Sequence, residues 1–280
     1  MVQKLTVLIP CKNERKNIRA CIESIHALAD EILVADSGST DGTLEIVAEA
    51  GKCRVIEREY VNHGNFINWA LPQASHEWVL IVDADERMTD RLAASIRRVL
   101  AAPPENKDAY WIPFTCFFMG HRLRFSRWNT PARRLVRRDR CRNRECRVHP
   151  EFDVPRERTG RLSGSLLHYS YWNYDSYFHK YIDYTRRVAA DKWEQGHRTS
   201  WVGLVVRPFL RFVQLYFLRL GLLDGLPGLQ VAMLTAFFNT FIKQARLWEM
   251  EYALPQPDPE AGRDPDTSSI KPSPTSRQAA

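Results

Sequence analysis

An α/β fold built on a doubly wound, mostly parallel sheet is what this sequence predicts, on three observations. Short β-rich runs alternate with helical periodicities through the first hundred or so residues, which is the rhythm of βαβ units. One run, Trp78-Val79-Leu80-Ile81-Val82, is apolar at every position, as a strand covered on both faces must be. It leads directly into Asp83-Ala84-Asp85-Glu86, so carboxylates stand at the strand's carboxyl end, where open α/β sheets bind ligands.

The elements follow in order. Leu5-Thr6-Val7-Leu8-Ile9 is a strand stopped by Pro10, and Ile18, Cys21, Ile22, Ile25 and Leu28 then recur at helical spacing. Glu31-Ile32-Leu33-Val34-Ala35 is a second strand, opening into the polar turn Asp36-Ser37-Gly38-Ser39-Thr40-Asp41-Gly42-Thr43, from which Thr40 or Asp41 caps a helix over Leu44 to Ala50. Arg54-Val55-Ile56-Glu57 predicts a third strand, Asn65 to Leu71 a short helix, and Thr89-Asp90-Arg91-Leu92 the start of another. Right-handed crossovers bring Pro10-Cys11-Lys12-Asn13-Glu14, Asp36-Ser37-Gly38-Ser39 and Asp83-Ala84-Asp85 to one edge of the sheet. Beyond Pro103-Pro104, Asp108 to Phe114 reads as a further strand and Tyr171 to Trp193 as a helix. The apolar run Trp201 to Leu223 places Arg207, Arg211, Gln214 and Arg219 within an arc of roughly 140°. That pattern suits a helix lying in a membrane interface; the alternative is a helix buried against Leu229 to Ile242 across the breaker run Gly221 to Gly228. Residues 1–170 are therefore read as the ligand-binding domain, 171–252 as a helical, membrane-associating extension, and 253–280, rich in Pro and Ser, as a disordered tail.

Composition narrows the function. With 44% hydrophobic and 26% charged residues, the 280-residue chain is neither wholly disordered nor a multi-span membrane protein. Its net charge of +7 points to an anionic partner. Six cysteines without C-x-x-C pairing, and a start lacking a long apolar stretch, predict a reducing, cytoplasmic setting; Cys141, Cys146 and His149 match no standard zinc spacing. Neither a G-x-G-x-x-G after the first strand nor a G-x-x-x-x-G-K-[ST] occurs, which disfavours the usual dinucleotide site and a P-loop NTPase. Asp83 and Asp85, one residue apart, project from one side of an extended chain and suit a hard cation shared with phosphates; the plainer reading is acid residues gathered at a helix N-terminus.

Taken together, Pro10-Cys11-Lys12-Asn13-Glu14, Asp36 to Thr43 and Asp83-Ala84-Asp85-Glu86 resemble glycosyltransferase family 2, with its GT-A fold, and most of all its bacterial lipopolysaccharide-core glucosyltransferases. The resemblance implies an inverting transfer of a hexose from a nucleotide diphosphate sugar to a lipid-linked saccharide, at the cytoplasmic face of the inner membrane, with Mg²⁺ or Mn²⁺ as cofactor. Pro10, Cys11, Asn13, Glu14, Asp36, Ser37, Gly38, Asp83 and Ala84 would hold the donor, Asp85 and His168 the cation. Glu151 would be the general base, with His149 and Asp153 as alternatives because Pro150 interrupts the family's spacing. Ile67 stands where relatives often carry a basic residue.

Eleven arginines between Arg122 and Arg147 face only Asp139 and Glu145, and some are expected to reach a diphosphate while at least half form a solvated rim. Phe117-Phe118-Met119 and Trp128 supply aromatic surface for a sugar or for the core. Competing readings are a polyprenyl-phosphate acceptor, a non-catalytic sugar-nucleotide binder, and a nucleic-acid-binding module. The last leaves the acidic loops unexplained, and no nucleic-acid partner is expected.

Overall fold

The computed structural model describes residues 2–125, 127–144 and 151–253. His149 and nearly all of the expected tail lie outside them. The chain runs β1 (Leu5–Cys11), α1 (Ile18–Ile25), β2 (Glu31–Asp36), α2 (Thr43–Glu49), β3 (Cys53–Glu57), α3 (His63–Ala70), β4 (Trp78–Ile81), β5 (Glu86–Met88) and α4 (Asp90–Ala101). Then come β6 (Ala109–Ile112), β7 (Phe114–Phe118), β8 (His121–Arg122), β9 (Ala132–Arg137), β10 (Thr159–Arg161) and β11 (Leu166–Tyr171). The helical extension holds α5 (Tyr174–Glu194), α6 (Arg207–Val213) flanked by π-helical turns, α7 (Gly225–Met233) and α8 (Phe241–Tyr252).

Seven strands form the main sheet in the order β10-β6-β9-β4-β1-β2-β3. β1 is parallel to both β2 and β4, and β9 enters antiparallel between β4 and β6. The chain winds outward from β1 through β2 to β3, then returns to place β4 on the other side of β1. This is a topological switch point. Pairing of β1 with β4 stops at Leu8 and Ile81, whereas pairing with β2 continues to Cys11 and Asp36. The two strands therefore part at the crevice, and Pro10 sits where β1 no longer has β4 beside it, so its missing N–H costs little there.

Apolar strands are covered on both faces. Val7, Ile9, Val34 and Leu80 pack under α1 and α4, while Leu8, Leu33, Val79 and Ile81 pack against Phe66 and Ile67 of α3. A second sheet, β5-β11-β7-β8, stands on the crevice side. The expected single strand from Asp108 to Phe114 is divided by Pro113: β6 belongs to the first sheet and β7 to the second. A third core of Phe118, Leu123, Tyr171, Tyr177 and Val231 joins this second sheet to α5 and α7. The extension therefore shares a core with the sheet beside the crevice.

One local expectation is corrected and another holds. The helix after β2 is capped at Gly42, in the left-handed region at φ 92°, and not at Thr40 or Asp41. Asp41 instead accepts hydrogen bonds from the amides of Arg15 and Thr43, each at 3.1 Å. Gly221 to Gly228 does separate the helices as expected: a short turn spans Gly221–Asp224, and Gly225 leaves helical geometry at φ 66° before α7 continues. Among the described residues, the stretch Gly221–Tyr252 is long and apolar enough to cross a membrane by length and composition alone. The turn begins at Leu220, φ 59°, and Gly228 is required because a side chain there would collide with the Gly221 carbonyl.

At the opposite edge from the crevice, Glu31 ties three segments together. It accepts from Thr6 Oγ1 at 2.6 Å, the Ser75 amide at 2.7 Å, Ser75 Oγ at 2.8 Å and the Arg54 guanidinium at 2.8 Å. Burial alone would raise its pKa, but these donors outweigh burial and pull it from 4.5 to about 2. A carboxyl depressed in the fold contributes stability that is present above its unfolded pKa and lost as pH falls toward the folded one. Glu31→Gln should therefore cost roughly 1–2 kcal/mol in urea unfolding at pH 7, and little near pH 2.

Candidate active site

The first two loops are stitched to each other. Asn13 adopts the left-handed conformation (φ 55°) that asparagine tolerates, donates its amide to Ser39 Oγ at 2.9 Å, and accepts from the Thr40 amide at 2.9 Å. Asp36 shapes its own turn by accepting from the amides of Gly38 (2.7 Å) and Ser39 (2.8 Å) and from Ser39 Oγ (2.5 Å). Gly38 lies at φ 91°, where glycine is required. The Ser37 amide reaches the Cys11 carbonyl at 3.1 Å. Burial, reinforced by the Asp36 carboxylate 3.3 Å away, drives the Cys11 thiol far above its ordinary pKa, so it is no thiolate nucleophile. Glu14, held by Asn17 Nδ2 at 2.8 Å, is pushed up by burial and feels both Asp85 and Asp83, which joins the first loop to the third.

The third loop is a tight turn. The Glu86 amide donates to the Asp83 carbonyl at 2.8 Å, and the Asp83 amide donates to Glu86 Oε2 at 2.9 Å. β5 then pairs antiparallel with β11, with His168 opposite Glu86. That register sets His168 Nε2 at 3.4 Å from Asp85 Oδ2, and the Tyr169 amide at 3.0 Å from the Asp85 carbonyl.

The three acids differ because Arg134 of β9 chooses among them. Its guanidinium grips Asp83 with two bonds (3.2 and 2.6 Å) and reaches Glu86 at 2.9 Å. Burial works against both charges, yet the guanidinium holds the Asp83 carboxyl well below the carboxylate range, whereas burial wins at Glu86, 0% exposed, and raises it. Asp85 faces His168 instead. Burial opposes charge on that imidazole, but the Asp85 carboxylate more than offsets it and lifts His168 to about 10.

Asp85 and His168 fit a divalent cation in part. They converge from adjacent segments, and hard cations complete their shell with waters and substrate phosphates. Among the described residues no set of three or more His, Cys, Asp or Glu side chains is arranged to hold a metal ion, so a cation at Asp85 and His168 would need water and substrate oxygens to complete its shell. His168 binds a cation only in its neutral form.

The base candidates separate. Glu151 is 68% exposed at its side chain and lies 3.3 Å from Arg133 Nη1. It borders two cavities: one of about 150 Å³ that it shares with His63, Trp111 and Arg134, and one of about 530 Å³ that runs from Trp128 to the helical extension. Asp153 is paired with Arg144 at 2.8 Å on the surface and borders neither. Ile67 is buried against the sheet and lines the smaller cavity, offering nothing to a phosphate.

Several contributors were not singled out by sequence reasoning. Arg134 was one arginine in a run of eleven. Of the others, Arg122, Arg124, Arg140, Arg142 and Arg144 are exposed as the solvated rim predicts, while Arg137 is buried between Glu77 and the Trp78 ring. Lys180 of α5 lies close enough to Glu14 and Asp85 for its charge to favour theirs. The aromatic surface divides: Phe118 and Trp128 pack in the third core, but Phe117 stacks on Tyr169 at 4.6 Å, and Tyr169 on the exposed Trp172 at 5.7 Å, beside His168.

Comparison with known proteins names the arrangement. The glycosyl transferase family 2 profile matches residues 6–148, from β1 through β9. The chain belongs to that family. It is 32% identical over 267 residues to the lipopolysaccharide core biosynthesis glycosyltransferase LpsC of Rhizobium meliloti (strain 1021), covering 91% of this chain and 95% of that protein. It is 25% identical over 261 residues to an uncharacterized glycosyltransferase of Rickettsia typhi, covering 89% and 88%. Among solved structures, glucosyl-3-phosphoglycerate synthase from Mycobacterium tuberculosis in complex with Mn²⁺, uridine diphosphate and glucosyl-3-phosphoglycerate matches at 26% identity and a TM-score of 0.34, over 41% of this chain and 44% of that one. The chain thus spans under half of that structure, too little to carry a statement about donor or metal. The protein is a glycosyltransferase whose GT-A sheet and crevice are those the resemblance implied.

Proposed function

We propose that this glycosyltransferase moves a hexose, with inversion, from a nucleotide diphosphate sugar to a lipid-linked saccharide of the lipopolysaccharide core, at the cytoplasmic face of the inner membrane. The observation that carries the reading is the meeting of Asp85 with His168 at the switch point, beside two loops already bonded to each other. The relative from Rhizobium meliloti, named for lipopolysaccharide core biosynthesis and similar over nearly its whole length, supports the acceptor class.

In this reading the loops Pro10–Glu14 and Asp36–Gly38 seat the nucleoside, with Asp83 and Ala84 alongside. Arg134 holds Asp83 and Glu86 still, which leaves Asp85 with His168 to hold Mg²⁺ or Mn²⁺. When bound, the cation neutralises charge on the departing diphosphate. Glu151 receives the acceptor hydroxyl's proton as that oxygen bonds to the anomeric carbon and the bond from that carbon to the diphosphate breaks. The stacked rings of Phe117, Tyr169 and Trp172 suit the apolar face of a sugar.

A transfer assay with labelled nucleotide sugars and extracted lipid acceptor tests both the reaction and the base. Glu151→Gln should lower kcat by about 10²–10⁴-fold with a hydroxyl acceptor. A loss below about threefold would indicate an acceptor that arrives ionised, such as a polyprenyl phosphate, and would overturn the hydroxyl reading.

A further inference from the structure

Away from the crevice, a groove of about 660 Å³ runs between α5, α6 and α8. Four cations border it, namely Lys192 from α5, Arg207 and Arg211 from α6, and Lys243 from α8, and no carboxylate is among its lining residues. Arg211 donates to Gln214 Oε1 at 2.7 Å, and the Lys243 ammonium lies 4.4 Å over the Tyr184 ring. Half-burial, then the charges of Lys192 and Arg211, lower Lys243 to about 8. Like charges drawn together on three helices repel at a cost that a bound anion removes. The groove also opens onto apolar surface. Leu210 and Leu218, 58% and 75% exposed, form part of its wall, and Val205, Phe209 and Phe217 are exposed along the same helical rod.

Cations at the margin of exposed leucine and phenylalanine match a lipid in both of its parts, a charged head and apolar chains. We propose that this groove binds the phosphoryl headgroup of an anionic membrane lipid, with Lys192, Arg207, Arg211 and Lys243 around the phosphate and the lipid's chains against Leu210 and Leu218. Arg211 and Lys243 also line the 530 Å³ cavity that ends at Glu151, so a lipid held here lies at the far mouth of the acceptor path. The inference rests on the membrane contact in the function proposed above, but it can be measured without donor or sugar transfer, so the two fail separately.

The test is flotation of the full-length protein with vesicles of phosphatidylcholine alone or containing phosphatidylglycerol. Wild type should float with the anionic vesicles, and K192Q/K243Q should bind them roughly thirtyfold more weakly, as expected for two lysines at an anionic surface. K192R/K243R should bind like wild type, which separates lost charge from lost fold. R97Q/R98Q removes the same charge from the exposed face of α4 and should change binding little. Equal loss in R97Q/R98Q and K192Q/K243Q, or equal flotation of wild type on neutral and anionic vesicles, would overturn the site. So would protection of Lys243 from an amine-reactive label by inorganic phosphate, combined with unchanged vesicle binding by K192Q/K243Q, because that assigns the groove to a soluble anion.

Discussion

Replacing Asp85 by alanine should lower kcat/KM for sugar transfer by at least about 10³-fold, the size expected if a preorganised charge at the departing group is lost. The fold should survive the change. Asp85 is the carboxylate that Arg134 leaves unclamped, and with it gone burial becomes the main influence on His168, which then rests neutral at pH 7 instead of stranded as a cation. The melting temperature should therefore move by only a few degrees. Asp85→Asn, which keeps the shape and loses the charge, should be almost as inactive. Paired measurements of transfer with a labelled donor and of unfolding by circular dichroism check both halves, and a well-folded Asp85→Ala enzyme with near wild-type turnover contradicts the assignment.

Arg134→Ala should have the largest effect on stability, about 3–5 kcal/mol, because it strands buried carboxylates whose partner is gone. The pH dependence gives the prediction a sign. Without the guanidinium, Glu86 and Asp83 bind protons in the folded variant at a pH where the unfolded chain, with carboxyls near 4, has already lost them. Stability then falls as pH rises, so the deficit should be smaller at pH 5.5 than at pH 8. Arg134→Lys keeps the charge but loses the two-pronged grip and should fall between the two. Urea unfolding at both pH values decides it; a deficit that is flat with pH would mean that Arg134 does not counter those acids.

The main sheet was legible in the sequence because parallel strands buried on both faces leave unbroken apolar runs, as in Trp78 to Val82. The second sheet was not. β5 has three residues and β8 two, and β11 pairs with segments 50 or more residues away, none of which leaves a local pattern. Pro113, a single residue, separates two strands that the sequence joined. In the site, acids at strand ends announced the crevice, and the meeting of Asp85 with His168 followed from the resemblance and not from spacing. Arg134 could not be picked from its ten neighbours, since what selects it is the pairing of β9 with β4: register and pleat decide which arginines of Arg133, Arg134, Arg137 and Arg138 turn toward Asp83 and which toward Trp111 or Trp78. The Gly221 to Gly228 run, by contrast, was legible as the place where the two apolar helices part. Gly225 breaks the helix at φ 66°, whereas Gly221 and Gly228 are also needed because backbones approach them closely.

The most direct measurement is thermal unfolding with a panel of nucleotide diphosphate sugars, each with and without Mg²⁺ or Mn²⁺, on wild type and on Asp85→Ala. A matching donor at 100 times its dissociation constant should stabilise wild type by about 2.7 kcal/mol when the divalent ion is present, and much less in its absence or in the variant. Stabilisation of equal size without the ion, or in Asp85→Ala, would contradict a cation held between Asp85 and the donor's diphosphate.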